Sequence, residues 1–180
     1  MNPADHPRSA RQDYRDPAPD GIDAEYAWGF AGGDGAGRAV IDLERGWTLS
    51  HEEIATQNAN LLRGVLLDTS RGHGASVLGE LCAVDDTLGD VAIAPQIGAV
   101  TAVSFNGSSR ANAITAAITD LNVRGLLLAA QVWLNGTKLL GPIECYDAEY
   151  EAIRPATALG IVVVEAGGNG TANGDPPPPS

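Results

Sequence analysis

The sequence predicts an α/β protein of three layers, a mainly parallel sheet with helices on both faces. Two observations carry this. Apolar runs of strand length alternate with segments whose apolar residues recur at helical spacing. The runs are continuous, without polar alternation, and a strand of that kind is buried on both faces, as in a sheet enclosed by helices. No internal repeat is visible. With 180 residues, 44% of them hydrophobic and 19% charged, the chain has enough material for one core and one domain.

The elements follow in order. Residues 38–42 make the first strand, ending in Asp42. Residues 50–57 predict a short helix, with Ser50 as its cap and Glu53 closing a capping box. Over residues 73–84, Val77, Leu81 and Val84 recur at helical spacing, and Cys82 within that pattern is expected to pack as a small hydrophobe. Residues 97–103 are strand-like. The clearest amphipathic helix covers 109–122, with Ala111, Ile114, Ile118 and Leu121 on one face. Residues 125–130 and 160–165 are further apolar strands. Residues 1–25, with Pro3, Pro7, Pro17 and Pro19 among charged side chains, read as a flexible polar leader. Residues 171–180, closing on Pro176 to Pro179, read as a proline-rich disordered tail.

Several function classes are disfavoured. A net charge of -12 argues against a nucleic-acid partner, because phosphate binding is driven by Lys and Arg. No apolar stretch approaches the roughly 18 residues of a membrane span. No apolar run of signal-peptide length lies in residues 1–21, and the compartment stays open. Cys82 and Cys145 are the only cysteines, so no disulfide framework is implied. His6, His51 and His73 are the only histidines, and neither His-Glu-x-x-His nor Cys-x-x-Cys occurs, so no metal site is expected. The run Gly32-Gly-Asp-Gly-Ala-Gly37 has Arg38 where a dinucleotide fingerprint needs its third glycine, and it precedes a strand where the fingerprint follows one. No cofactor is identified. The Asn-Gly-Ser/Thr triplets at Asn106, Asn135 and Asn169 read as turns.

In a parallel sheet, active-site groups gather beyond the carboxyl ends of the strands. That rule singles out Asp42 at a strand end, His73 between two glycines at a helix start, and Asn169 in Gly167-Gly-Asn-Gly170 after a strand. Taken singly they are a cap, a structural histidine and a turn. Taken together, an aspartate, a glycine-flanked histidine and a Gly-Asn in this order resemble the subtilisin-like serine peptidases (subtilases). The resemblance runs over about residues 26–170. It takes in Val40-Ile-Asp42, His51-Glu-Glu-Ile54, His73-Gly74, Ile93-Ala-Pro95 and Gly160-Ile-Val-Val-Val164. The spelling Asp42-Leu-Glu-Arg-Gly-Trp47 departs from the commoner Asp-Ser/Thr-Gly.

The resemblance implies that residues 26–170 are the amino-terminal part of a subtilase-like peptidase domain acting on peptides or proteins. His73 would be the general base, Asp42 its orienting carboxylate, and Asn169 the oxyanion donor. Peptidases of this family are often exported, and calcium is common among them, though no ligand set can be placed here. The nucleophilic serine, which follows the asparagine in a Gly-Thr-Ser segment, has no counterpart after Asn169. The segment Gly107-Ser-Ser-Arg-Ala111 mimics it but falls too early in chain order. The expectation is therefore a serine-type endopeptidase fragment, inactive alone, and marginally stable because a sheet without its neighbours leaves an unpaired edge. The alternative is a non-catalytic subtilase-like domain, a peptide binder or pseudopeptidase. Ala75 after His73-Gly74 and the segment 126–132 depart from the family pattern, the latter where peptide substrate would pair.

Overall fold

A computed structural model describes residues 7–121, 125–134 and 139–171 of the chain. Among these residues, strands β1 (Ala39–Glu44), β2 (Asn60–Arg63), β3 (Ala99–Ser104), β4 (Gly125–Ala129) and β7 (Val162–Glu165) form one sheet in the order β2-β3-β1-β4-β7. Every pairing in it is parallel. A second, antiparallel sheet joins β5 (Val132–Trp133), β6 (Leu139–Gly141) and β8 (Gly170–Thr171). The helices are α1 (Ala24–Ala27), α2 (Glu52–Ala55), α3 (Arg71–Cys82), α4 (Arg110–Leu121) and α5 (Asp147–Ala158). The three-layer α/β class expected from the sequence is the one found.

β1 is central, and its side chains alternate between two cores as a pleated strand requires. Ile41 and Leu43 point to one face, where they pack with Ile114, Leu127, Ile143 and Ile153 under α4 and α5. Val40 points to the other, with Trp47, Leu78, Cys82 and Val100 under α3. Full burial of a side chain such as Leu78 contributes about 1.5–3 kcal/mol. Cys82 packs as expected, wholly buried among aliphatic groups.

Three local features differ from the sequence reading. Helix α2 is capped by His51, whose Nδ1 accepts the Glu53 N–H at 3.3 Å, and Ser50 lies outside it. The reason is length: the helix spans a single turn, so the residue just before it takes the cap. Strand β2 and helix α5 carry no clear sequence signal. β2 is short and mostly exposed, and α5 contains Pro155, which cannot donate to the helical ladder.

Residues 7–25, assigned from sequence to a flexible leader, lie against the body as turns and single helical turns. Gln12 is 4% exposed and bonds Val91 through both of its amide atoms, donating to the carbonyl at 2.9 Å and accepting the N–H at 3.3 Å. Trp28 donates its indole N–H to the Ile93 carbonyl at 2.8 Å. Specific side-chain hydrogen bonds hold this segment, which composition alone does not register. Of the expected tail 171–180, Thr171 belongs to β8; the rest of the tail and the Asn135 triplet lie outside the described residues.

Candidate active site

The carboxyl end of β1 carries two acids on one face, since residues 42 and 44 are separated by one full pleat. Asp42 lies deeper, level with Ala102 of β3 and Leu128 of β4. Glu44 is the last residue of the strand. The first turn of α3 begins just above it and presents His73.

His73 Nδ1 lies 2.9 Å from Glu44 Oε1. The Glu44 side chain is 9% exposed and that of His73 is 63% exposed, so the carboxylate is fixed while the imidazole reaches outward. With one nitrogen held by the acid, Nε2 is left as the group able to exchange a proton with a neighbour. Because His73 is largely in solvent, the link adds only roughly 0–1 kcal/mol to stability.

Asp42 faces a different partner. Its Oδ2 accepts the Trp47 indole N–H at 2.7 Å, and both side chains are sealed from solvent. Burial pushes the Asp42 carboxyl up to about 8, against the Trp47 hydrogen bond and helped by repulsion from Glu44. Glu44 is also raised, by burial first, with His73 and the Arg45 backbone N–H opposing. The Cys82 thiol beneath is pushed up to about 12 by burial and the field of Asp42, which makes it a packing group and not a nucleophile.

The position of α3 depends on Gly74. A Cβ there would run into the Gly46 carbonyl oxygen and come within 2.6 Å of the Trp47 ring. The other flanking glycine, Gly72, faces open space, so only one of the pair is demanded by packing. Arg71 ties the helix start to this loop by donating to the Trp47 carbonyl at 3.5 Å.

Two adjoining clefts of about 250 and 230 Å³ open beside His73 and share Glu44, Ala130 and Gln131. Asp42 and Glu165 line the first, Trp133 and Leu140 the second. Asn169 is exposed and lines neither cleft, but its backbone N–H donates to Gln131 Oε1 at 2.8 Å. Gln131 thus connects the Gly168-Asn169 turn to the clefts. Gly168 sits at φ +95°, which favours glycine, and a Cβ there would meet the Leu140 carbonyl. A cleft of about 430 Å³ lies elsewhere, between residues 8–14 and α3, but its His51 caps α2 and its Glu53 accepts the Asp90 N–H.

Of the residues singled out by sequence, Asp42 and His73 share one cleft without a direct bond between them, and Asn169 is attached through Gln131. Glu44 was missed. Its signal was present in the two-residue spacing from Asp42, which puts both acids on one face of the strand, but which of them meets the imidazole depends on where α3 starts. Ser109 caps α4, its hydroxyl accepting the Asn112 N–H at 3.2 Å, and α4 covers the sheet face opposite α3. Among the described residues, no cluster of three or more His, Cys, Asp or Glu could hold a metal ion, and no helix is long and apolar enough to cross a membrane.

No family model matches the chain. In sequence it is similar to Subtilisin DY of Bacillus licheniformis, 31% identical over 145 residues, a match covering 78% of this chain and 50% of that protein. The chain therefore spans about half the length of the curated relative it matches. Among solved structures, S41 Psychrophilic Protease aligns with a TM-score of 0.47 at 19% identity, over 72% of this chain and 45% of that one.

Proposed function

Because this chain is related to the subtilisin-like peptidases across about half of their length, we propose that residues 26–170 are the amino-terminal part of a serine-type endopeptidase domain. The observation that carries the reading is the imidazole of His73, held at Nδ1 by a carboxylate from the central strand and open at its outer edge.

The chemistry follows from that geometry. A serine hydroxyl is a weak nucleophile until a base takes its proton as the oxygen attacks a peptide carbonyl carbon. His73 Nε2 accepts that proton and returns it to the departing amine as the carbon–nitrogen bond breaks. A carboxylate on the far side of the ring holds the tautomer and stabilises the imidazolium. Asn169 is the proposed donor to the carbonyl oxygen as it gains charge, an interaction worth about 3 to 4 kcal/mol in such sites. The substrate is a peptide or protein, laid along the clefts bordered by Gln131 and Trp133. Within residues 170–180 the sole serine is Ser180, and no Gly-Thr-Ser follows Asn169 there. A polypeptide of residues 1–180 is accordingly expected to leave casein intact.

The test has two parts. The nucleotide sequence downstream of codon 180 is read for an encoded Gly-Thr-Ser segment, and the polypeptide carrying it is assayed on casein beside its His73→Ala variant. Hydrolysis abolished by His73→Ala supports the proposal. A missing segment, or hydrolysis indifferent to His73, sinks it in favour of a non-catalytic domain.

A further inference from the structure

We propose that Glu44, and not Asp42, is the positioning carboxylate for His73, and that Asp42 instead fixes Trp47 beneath the start of α3. The peptidase reading supplies only the purpose of His73; the pairing itself stands on geometry.

The first argument is distance. Glu44 Oε1 is 2.9 Å from His73 Nδ1, within range of a charge-assisted hydrogen bond. Among the described residues, Asp42 has its side-chain bond to Trp47, and neither a hydrogen bond nor an ion pair joins it to His73.

The second argument is obstruction. An indole N–H is a donor only, and it needs an acceptor once buried. Trp47 is fully buried and finds that acceptor in Asp42 at 2.7 Å. Its ring also occupies the space a side chain at residue 74 would fill, one position from His73. Trp47 thus engages Asp42 below α3, while the imidazole is served from the strand end.

The third argument is reach along the strand. Two residues advance a strand by about 6.6 Å, and Glu adds one methylene to the length of Asp. Glu44 therefore stands at the mouth of the cleft. Asp42 stands in the core beside Cys82, where its electrostatic neighbours are Trp47, Glu44 and the thiol. Held largely neutral at pH 7 by burial, Asp42 carries little charge with which to stabilise an imidazolium. Arg45 and Glu165 also line the clefts around His73, and Glu165 is occupied by the Glu144 N–H at 3.2 Å. One short stretch, residues 42–47, supplies the whole arrangement: the orienting acid, the buried acid and the indole it holds.

The test reads the ring and not catalysis. The chain is labelled with ¹⁵N-histidine, and the tautomer of His73 is measured by nitrogen shifts where the imidazole is neutral. The wild-type ring should be mainly Nδ1–H. Glu44→Ala should lower the Nδ1–H to Nε2–H ratio by about fivefold, the loss of one hydrogen bond at a largely solvent-exposed ring. Asp42→Asn, which keeps an acceptor for Trp47, should leave the ratio unchanged. If Glu44→Ala fails to fold, Glu44→Gln substitutes: it keeps an acceptor but removes the charge, and should move the low-field Nδ1 proton upfield. A ratio that follows Asp42→Asn and ignores both Glu44 variants would overturn the proposal. Because no turnover is required, this outcome is independent of whether the completed polypeptide cleaves casein.

Discussion

Trp47 donates its indole N–H to Asp42 at 2.7 Å in a region sealed from solvent, so each side chain is the other's answer to burial. Trp47→Phe removes the donor and leaves the acid stranded. The expected cost is about 1–3 kcal/mol for the lost partner, with more from the smaller ring. Asp42→Asn, which preserves an acceptor of the same shape, should cost less. Urea melts of the two variants should rank them in that order.

The same acid predicts a pH dependence. Its folded value of about 8 lies above the ordinary 3.8, so the native state holds a proton that the unfolded chain releases. The stabilisation is fully present below about 4 and is lost as pH rises to about 8. Melts across that window should show stability falling with pH. Asp42→Asn should make the descent shallower without abolishing it, because Glu44, Glu53 and Glu165 are raised as well.

The two glycines around His73 should behave differently. Gly74→Ala drives a methyl group into backbone at Gly46 and into the Trp47 ring, and overpacking of that kind costs about 1–3 kcal/mol. Gly72→Ala meets open space within a helix, where alanine gains up to about 1 kcal/mol over glycine. Opposite shifts in melting temperature are expected. Equal shifts would mean that α3 does not sit where described.

Thiol titration offers an independent check of the core. Cys145 is exposed and should react with an aromatic disulfide reagent in the native protein. Cys82, buried with its thiol pushed up to about 12, should react only after denaturant is added. Two fast thiols would contradict the packing of α3 on the sheet.

The elements that read well in the sequence were those whose pattern is local. The expected helix 109–122 and observed α4 (Arg110–Leu121) agree closely, because Ile114, Ile118 and Leu121 repeat on one buried face. The sequence reading ends the first strand at Asp42, two residues short of the observed end at Glu44. That small error concealed the partner of His73. A polar residue ending a buried strand is excluded from the strand by composition and included by hydrogen bonding, and only tertiary contact decides. The order and spacing of Asp42, His73 and Asn169 could be read in one dimension. The Trp47 bond to Asp42 could not, because it depends on how the loop after β1 folds back beneath α3.

The paired bonds between Gln12 and Val91 have a practical corollary. A single amide side chain reproduces the give-and-take that two backbones normally share, so a stretch too rich in proline and charge to join a sheet is nonetheless stitched to the body. Trypsin should therefore be slow at Arg15, a residue only 2% exposed, despite a composition that invites cleavage. Anyone shortening the protein for expression would do better to begin upstream of that glutamine than after it.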